Sequence, residues 1–162
     1  MGAALQGGPH RIWFTAYVRR LVQLMLVVAI VLDVAYWTIW FTDRSLLASE
    51  HTAAYYQFEN AFPLADAWLG SACVLALVSL TRRSRSADFW LDAAGSGGVY
   101  LFGMDVLYDL EHHILFTSAG GVVEAVIVAL TLAFSLTALR FAARLRATAL
   151  VSHTRQPPAA RR

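Results

Sequence analysis

Four long apolar runs, at roughly 21–42, 63–81, 89–110 and 119–139, are separated by short polar breaks. Each holds about the 20 residues that a helix needs to cross a bilayer core. The pattern predicts an all-α polytopic membrane protein built as a four-transmembrane-helix bundle. The first run, LVQLMLVVAIVLDVAYWTIWF, is longer than the apolar part of a signal peptide. It ends in Tyr36, Trp37, Trp40 and Phe41 rather than at a small-residue cleavage site, so it reads as a retained span. Aromatics at that depth read as an interfacial belt. Residues 43–62, DRSLLASEHTAAYYQFENAF, predict a short helix on the outer membrane surface, starting near Ser49 and Glu50. Leu46, Leu47, Tyr55, Tyr56 and Phe58 would turn inward. Pro63 fits the first turn of the next helix, where its missing N–H costs nothing. The third run contains AAGSGG (93–98), which would break a soluble helix but in a membrane lets two helices approach closely. TSAGG (117–121) reads as a tight outer turn.

Composition supports the same class. Hydrophobic residues make up 58% and charged residues only 15%, with a mean hydropathy of +0.54. A soluble domain would carry about 25% charged residues. The single cysteine, Cys73, excludes an internal disulfide and a thiolate metal cluster. All 13 basic residues are arginine. Arg11, Arg19 and Arg20 precede the first run, Arg82, Arg83 and Arg85 lie in TRRSRS, and Arg140, Arg144, Arg146, Arg155, Arg161 and Arg162 follow the fourth. Only Arg44 stands apart. By the positive-inside rule, both termini and the middle loop are cytoplasmic. The organisation expected is a cytoplasmic interfacial N-terminus (1–20), a four-helix transmembrane domain (21–140) and a cytoplasmic basic tail (141–162), disordered after Pro157. The total absence of lysine suggests a GC-rich bacterial genome, and hence the bacterial inner (plasma) membrane. The arginines mark topology and touch anionic headgroups rather than nucleic acid.

Against this background the acids are anomalous. MDVLYDLEHHIL (104–115) places Asp105, Asp109, Glu111, His112 and His113 at the outer end of the third span. On a helix, Asp105, Asp109 and His112 fall within about 60° of one another, on the stripe of Ala94, Gly98 and Leu101. Glu111 points elsewhere, and His113 lies about 80° from Asp105. Asp66 shares a stripe with Gly70, Cys73 and Leu77, which Glu59 extends outward if the helix continues through Pro63. Glu124 aligns with Thr131 and Ser135, and Asp33 aligns with Ala29, Trp37 and Trp40. Asp33 is the deepest, roughly 13 Å below Thr42. One ionisable residue at mid-membrane costs about 2.5–3.5 kcal/mol on insertion scales. With no basic residue in the spans, the carboxylates are protonated, shared in pairs, hydrated in an outward-open cavity, or neutralised by a cation.

The expected site is therefore a ligand or proton site of Asp33, Asp66, Asp105, Asp109, Glu124 and His112. Within it, Asp105, Asp109 and His112 offer carboxylate and imidazole donors to a divalent cation, although D-x3-D-x2-H is not a specific metal motif. Binding or transport of a cation, proton or small ligand is one reading, and transport by four spans would call for a homo-oligomer. A structural or accessory subunit of a larger membrane complex is another. A membrane enzyme using paired carboxylates as acid and base on a lipid or isoprenoid-type substrate is a third, resting only on architectural analogy to four-helix sterol isomerase-like proteins. The balance leans away from an enzyme. The expected surroundings are the lipid bilayer, with no nucleic acid.

FENAFPLADAW (58–68), AAGSGGVYLFGMDVLYDLEHH (93–113) and the four-span layout resemble small four-helix bacterial integral membrane proteins of uncharacterised function. The resemblance covers about a third of the chain. It implies a four-helix membrane fold and no activity or site residue.

Overall fold

The computed structural model describes residues 9–116 and 118–154. Five helices follow in order: α1 (Pro9–Asp43), α2 (Ala53–Glu59), α3 (Pro63–Thr81), α4 (Ala87–Glu111) and α5 (Ala119–Thr154), with a 3₁₀ turn (Arg44–Leu46) after α1. There is no strand among the described residues. The chain is an all-α membrane helix bundle. Three segments, Ala16–Leu46, Ala53–Thr81 and Ala119–Val151, are long and apolar enough to cross a bilayer. The fourth long helix, α4, has 25 residues but carries Asp88, Asp92, Asp105 and Asp109.

The long helices pack in chain order. α4 lies between α3 and α5, α3 also packs on α1, and α1 touches α5 only sparingly. The core between them is made of small residues, Ala72, Cys73, Ala76, Ala94, Ala138 and Ala142, around Leu26 and Leu91. Lipid is as apolar as leucine, so close backbone approach and van der Waals contact, rather than water exclusion, hold such helices together. The AAGSGG stretch supplies that approach on α4. A β-carbon at Gly98 would collide with Ser135 Oγ, and one at Gly95 would sit 2.9 Å from the Ser135 carbonyl oxygen. Of the expected stripe, Ala94, Gly98, Leu101 and Asp109 are buried, Asp105 is half-buried and His112 is exposed.

Local chemistry fixes the helix ends. Pro63 occupies the first turn of α3. α3 and α4 both end in a left-handed residue, Arg83 (φ 55°) and His113 (φ 54°). In each, the next amide closes back on the helix: Ser84 N donates to Ser79 O at 2.8 Å, and Ile114 N to Asp109 O at 2.9 Å. These bonds satisfy carbonyls that a helix end leaves open. Ser118 caps α5, its Oγ accepting from Gly121 N at 3.0 Å. A side chain at Gly121 would run into the Ile114 carbonyl, so the α4–α5 turn needs glycine there.

Three expectations change. The outer helix starts at Ala53, not near Ser49: Thr52 is extended and its hydroxyl accepts from Tyr55 N at 3.2 Å, a cap that Ser49 does not provide. Tyr55 is buried and Leu47, Tyr56 and Phe58 are half-buried, but Leu46 is 74% exposed because the 3₁₀ turn points it outward. The fourth run does not stop at Arg140. α5 continues to Thr154, since Phe141 and Ala142 still pack in the core and Arg146 pairs with Asp92 of α4. The expected disorder after Pro157 lies outside the described residues.

Candidate functional site at the outer helix ends

The end of α1 turns three aromatics inward rather than to the membrane surface. Tyr36 OH donates to Glu59 Oε2 at 2.9 Å. Trp37 Nε1 donates to Asp66 Oδ2 at 3.0 Å, and Trp40 Nε1 to Asn60 Oδ1 at 3.1 Å. These are bonds from α1 to the corner joining α2 and α3. Trp40 is 3% exposed, whereas Phe41, the next residue, is 68% exposed. The belt expected from the sequence therefore reduces, in this stretch, mainly to Phe41. The others form a hydrogen-bonded wall, because a buried indole or phenol needs an acceptor, which Glu59, Asp66 and Asn60 supply.

Behind that wall the acids gather. Asp105 lies within electrostatic reach of Glu59, Glu124, Asp66 and Asp109. Asp109 is likewise near Glu124, and Glu59 is near both Glu124 and Asp66. Glu124 accepts from Ser49 Oγ at 2.9 Å, which ties α5 to the loop before α2. The helices thus bring together Asp66, Asp105, Asp109 and Glu124 of the expected set. They add Glu59, which the sequence placed only as an outward extension of the Asp66 stripe. Its signal was the seven-residue spacing to Asp66, which Pro63 obscured.

Two expected members are placed elsewhere. His112 is exposed: it caps α4, its ring stacks on Tyr108 with centroids 4.0 Å apart, and its Nδ1 lies 2.9 Å from Tyr108 O. Tyr108 in turn stacks on Phe58 at 3.8 Å, so His112 is the outermost ring of a three-ring pile. The angular argument failed for it because the helix ends at Glu111. Glu111 and His113 are exposed as well. Asp33 faces the floor of a groove between α1 and α3 of about 810 Å³, where its carboxylate would collide with any β-carbon at Gly70. It is coupled to the cluster through Asp66.

The divalent-cation set of Asp105, Asp109 and His112 is not assembled. Among the described residues no three histidine, cysteine, aspartate or glutamate side chains are grouped so as to hold a metal ion. His112 turns outward, and the carboxyl groups that interact electrostatically do not bring three of their number to one point. What remains is five carboxyl groups, two of them bonded to aromatic donors and one to a serine. No ion pair to any of them forms among the described residues. Asp109 is the sharpest case. It is 3% exposed, and its Oδ2 has no hydrogen-bond partner. Tyr108 OH, the neighbouring buried polar atom, is also unpartnered. Such buried acceptors call for a proton, a water or a ligand.

No protein-family model matches the chain, and comparison with curated proteins and with solved structures finds no significant match. The chemistry of the site has to stand on its own residues.

Proposed function

We propose that this protein is a four-span membrane protein whose outer acidic site, formed by Asp66, Asp105, Asp109 and Glu124 with Glu59, binds a proton or a cation other than a three-ligand metal. The observation that carries this reading is the buried, unpartnered carboxyl oxygen of Asp109, with Glu124 and Asp105 as its acidic neighbours. Like charges brought together away from water favour uptake of positive charge, the smallest unit of which is a proton. The chemistry is acid–base without a nucleophile or cofactor: the cluster holds and releases positive charge while Tyr36, Trp37 and Ser49 fix the carboxylates around it.

The test is a thermal-shift titration of the purified protein with protons, with monovalent cations and with small organic cations. The wild type should shift. Asp105→Asn should lose most of the shift, and Glu111→Gln, at an exposed position, should keep it. A wild type that does not respond to any of them overturns the reading. The hydrogen bonds to Glu59, Asp66 and Glu124 favour a second reading, a purely structural lock in an accessory subunit. In that case Asp105→Asn is tolerated and nothing is bound.

The same reading places the protein in the bacterial inner membrane, as a monomer or homo-oligomer in lipid. α4 makes the fourth crossing: it is about 37 Å long at 1.5 Å per residue and is flanked by two apolar spans. Twelve of the 13 arginines flank the spans before α1, between α3 and α4 or after the fourth run in the sequence, which by the positive-inside rule assigns both termini to the cytoplasm. Reporter fusions after residue 50 and after residue 118 should read extracytoplasmic, and one after residue 84 cytoplasmic. The opposite signal at any of the three breaks the topology.

A further inference from the structure

The groove between α1 and α3 adjoins the acidic cluster, with Trp37 bonded to Asp66 at their border, and opens sideways between two helices. Its volume, about 810 Å³, falls within the range of small-molecule sites. Most of its lining is apolar, but Asp33, Trp37, Thr38 and Ser71 contribute polar atoms. The direction of their hydrogen bonds decides what the groove can receive. Ser71 Oγ donates to Ala67 O at 2.7 Å and Thr38 Oγ1 donates to Val34 O at 2.6 Å. Trp37 Nε1 donates to Asp66 at 3.0 Å. Every side-chain N–H or O–H of these three residues is thus already committed within the protein. Lone pairs remain on both hydroxyls and on the Asp33 carboxylate, for which no hydrogen bond or ion pair is formed among the described residues. The groove offers acceptors and a negative charge, with an indole face beside them, and no free donor from these residues. An ammonium group, with three donors and a positive charge, complements that set. An anion does not.

We infer that the α1–α3 groove binds a membrane-dissolved amphiphilic amine, with its ammonium group on Asp33 and its hydrocarbon chain along the apolar lining around Val74. Charge complementarity selects the head, and the lipid-side apolar walls select the tail. Depth decides the source of the amine. Asp33 lies roughly 13 Å below the outer end of its span, beyond the reach of a headgroup amine held at the interface, so the ligand is a free amphiphile rather than a phospholipid. The site goes beyond the outer cation site: Asp33 and the apolar lining, not the outer carboxyl groups, make its contacts.

The experiment uses the full chain in phosphatidylcholine nanodiscs, titrated with dodecylamine and with 1-dodecanol, which has the same tail without the charge. Empty discs correct for partitioning. Dodecylamine should bind saturably and raise the melting temperature, whereas dodecanol should not. Equal responses to the two overturn the proposal, and this comparison needs no variant. Asp33→Asn should weaken dodecylamine at least tenfold. Val74→Trp, at a lipid-exposed position that the new ring would fill, should abolish binding. Retained binding in either folded variant overturns the assignment. Asp105→Asn should leave dodecylamine binding unchanged even if it removes the proton or cation response. Loss of amine binding in Asp105→Asn but not in Asp33→Asn would move the amine to the outer cluster and refute the groove. Addition of phosphatidylethanolamine to the discs should not compete, and competition would identify the headgroup as the occupant instead.

Discussion

Gly98→Leu is expected to destabilise the protein by about 3 kcal/mol or to abolish recovery of folded material, the upper end of what overpacking costs. The position leaves no slack. Even a single carbon at Gly98 meets Ser135 Oγ, and Ser135 is 0% exposed, on the face of α5 that packs against α4. Its hydroxyl cannot swing freely because it donates to Thr131 O at 2.7 Å. A leucine would push the two backbones apart and open the core at Ala94 and Ala138 as well. Val99→Leu is the control: Val99 is 38% exposed, and its change should stay within about 0.5 kcal/mol. Gly98→Ala should be harmful too, and Ser135→Ala should partly rescue it, because removing the hydroxyl removes the first collision. Thermal melting of the four variants and the double mutant in one detergent checks the set. Equal stability of Gly98→Leu and Val99→Leu would refute the α4–α5 contact.

Trp40→Ala should cost about 3–5 kcal/mol, the range for deleting a large buried aromatic. Trp40 packs against Tyr55 and Tyr56, with centroids 6.5 and 6.0 Å away, and its N–H reaches Asn60. Its loss leaves a void beneath α2 and an unpaired amide oxygen, so the outer cap should loosen over the acidic site. Phe41→Ala removes a ring that faces lipid and should change stability little. Proteolysis of the 47–60 segment, compared between the two variants at a fixed temperature, separates them: Trp40→Ala should be cleaved much faster. Similar protection would mean that the tryptophan is an interfacial anchor after all.

Those two residues also mark the boundary of what the sequence could tell. Membrane character and an all-helical fold follow from composition and run length alone, because a bilayer forces backbone polar groups to pair within each segment. The glycine stripe on α4 was legible for a related reason. Helical periodicity is a local property, and Gly98, Asp105 and Asp109 all lie within one continuous helix. The same rule failed at His112, one residue past its end, where a left-handed His113 redirects the chain. For Glu59 it held only on the condition that the chain runs on past Pro63: Phe62 N donates to Glu59 O and Asp66 N to Phe62 O, and this carboxyl lies near Asp66 and beside Tyr36.

The aromatic cluster shows the deeper limit. Tyr36, Trp37 and Trp40 have the same sequence signature whether they face headgroups or partners. The choice depends on whether an acceptor from another element lies within about 3 Å, and only packing decides that. So the sequence by itself determined the element types, the apolar surfaces and the presence of excess carboxyl groups in an apolar chain. The tertiary structure decided which of those groups meet, which are satisfied by indole, phenol and hydroxyl donors, and which, like Asp109 and Asp33, are left without one. The reason is physical: secondary structure is fixed by bonds among neighbours in the chain, whereas charge compensation depends on distances between helices that the chain order does not specify.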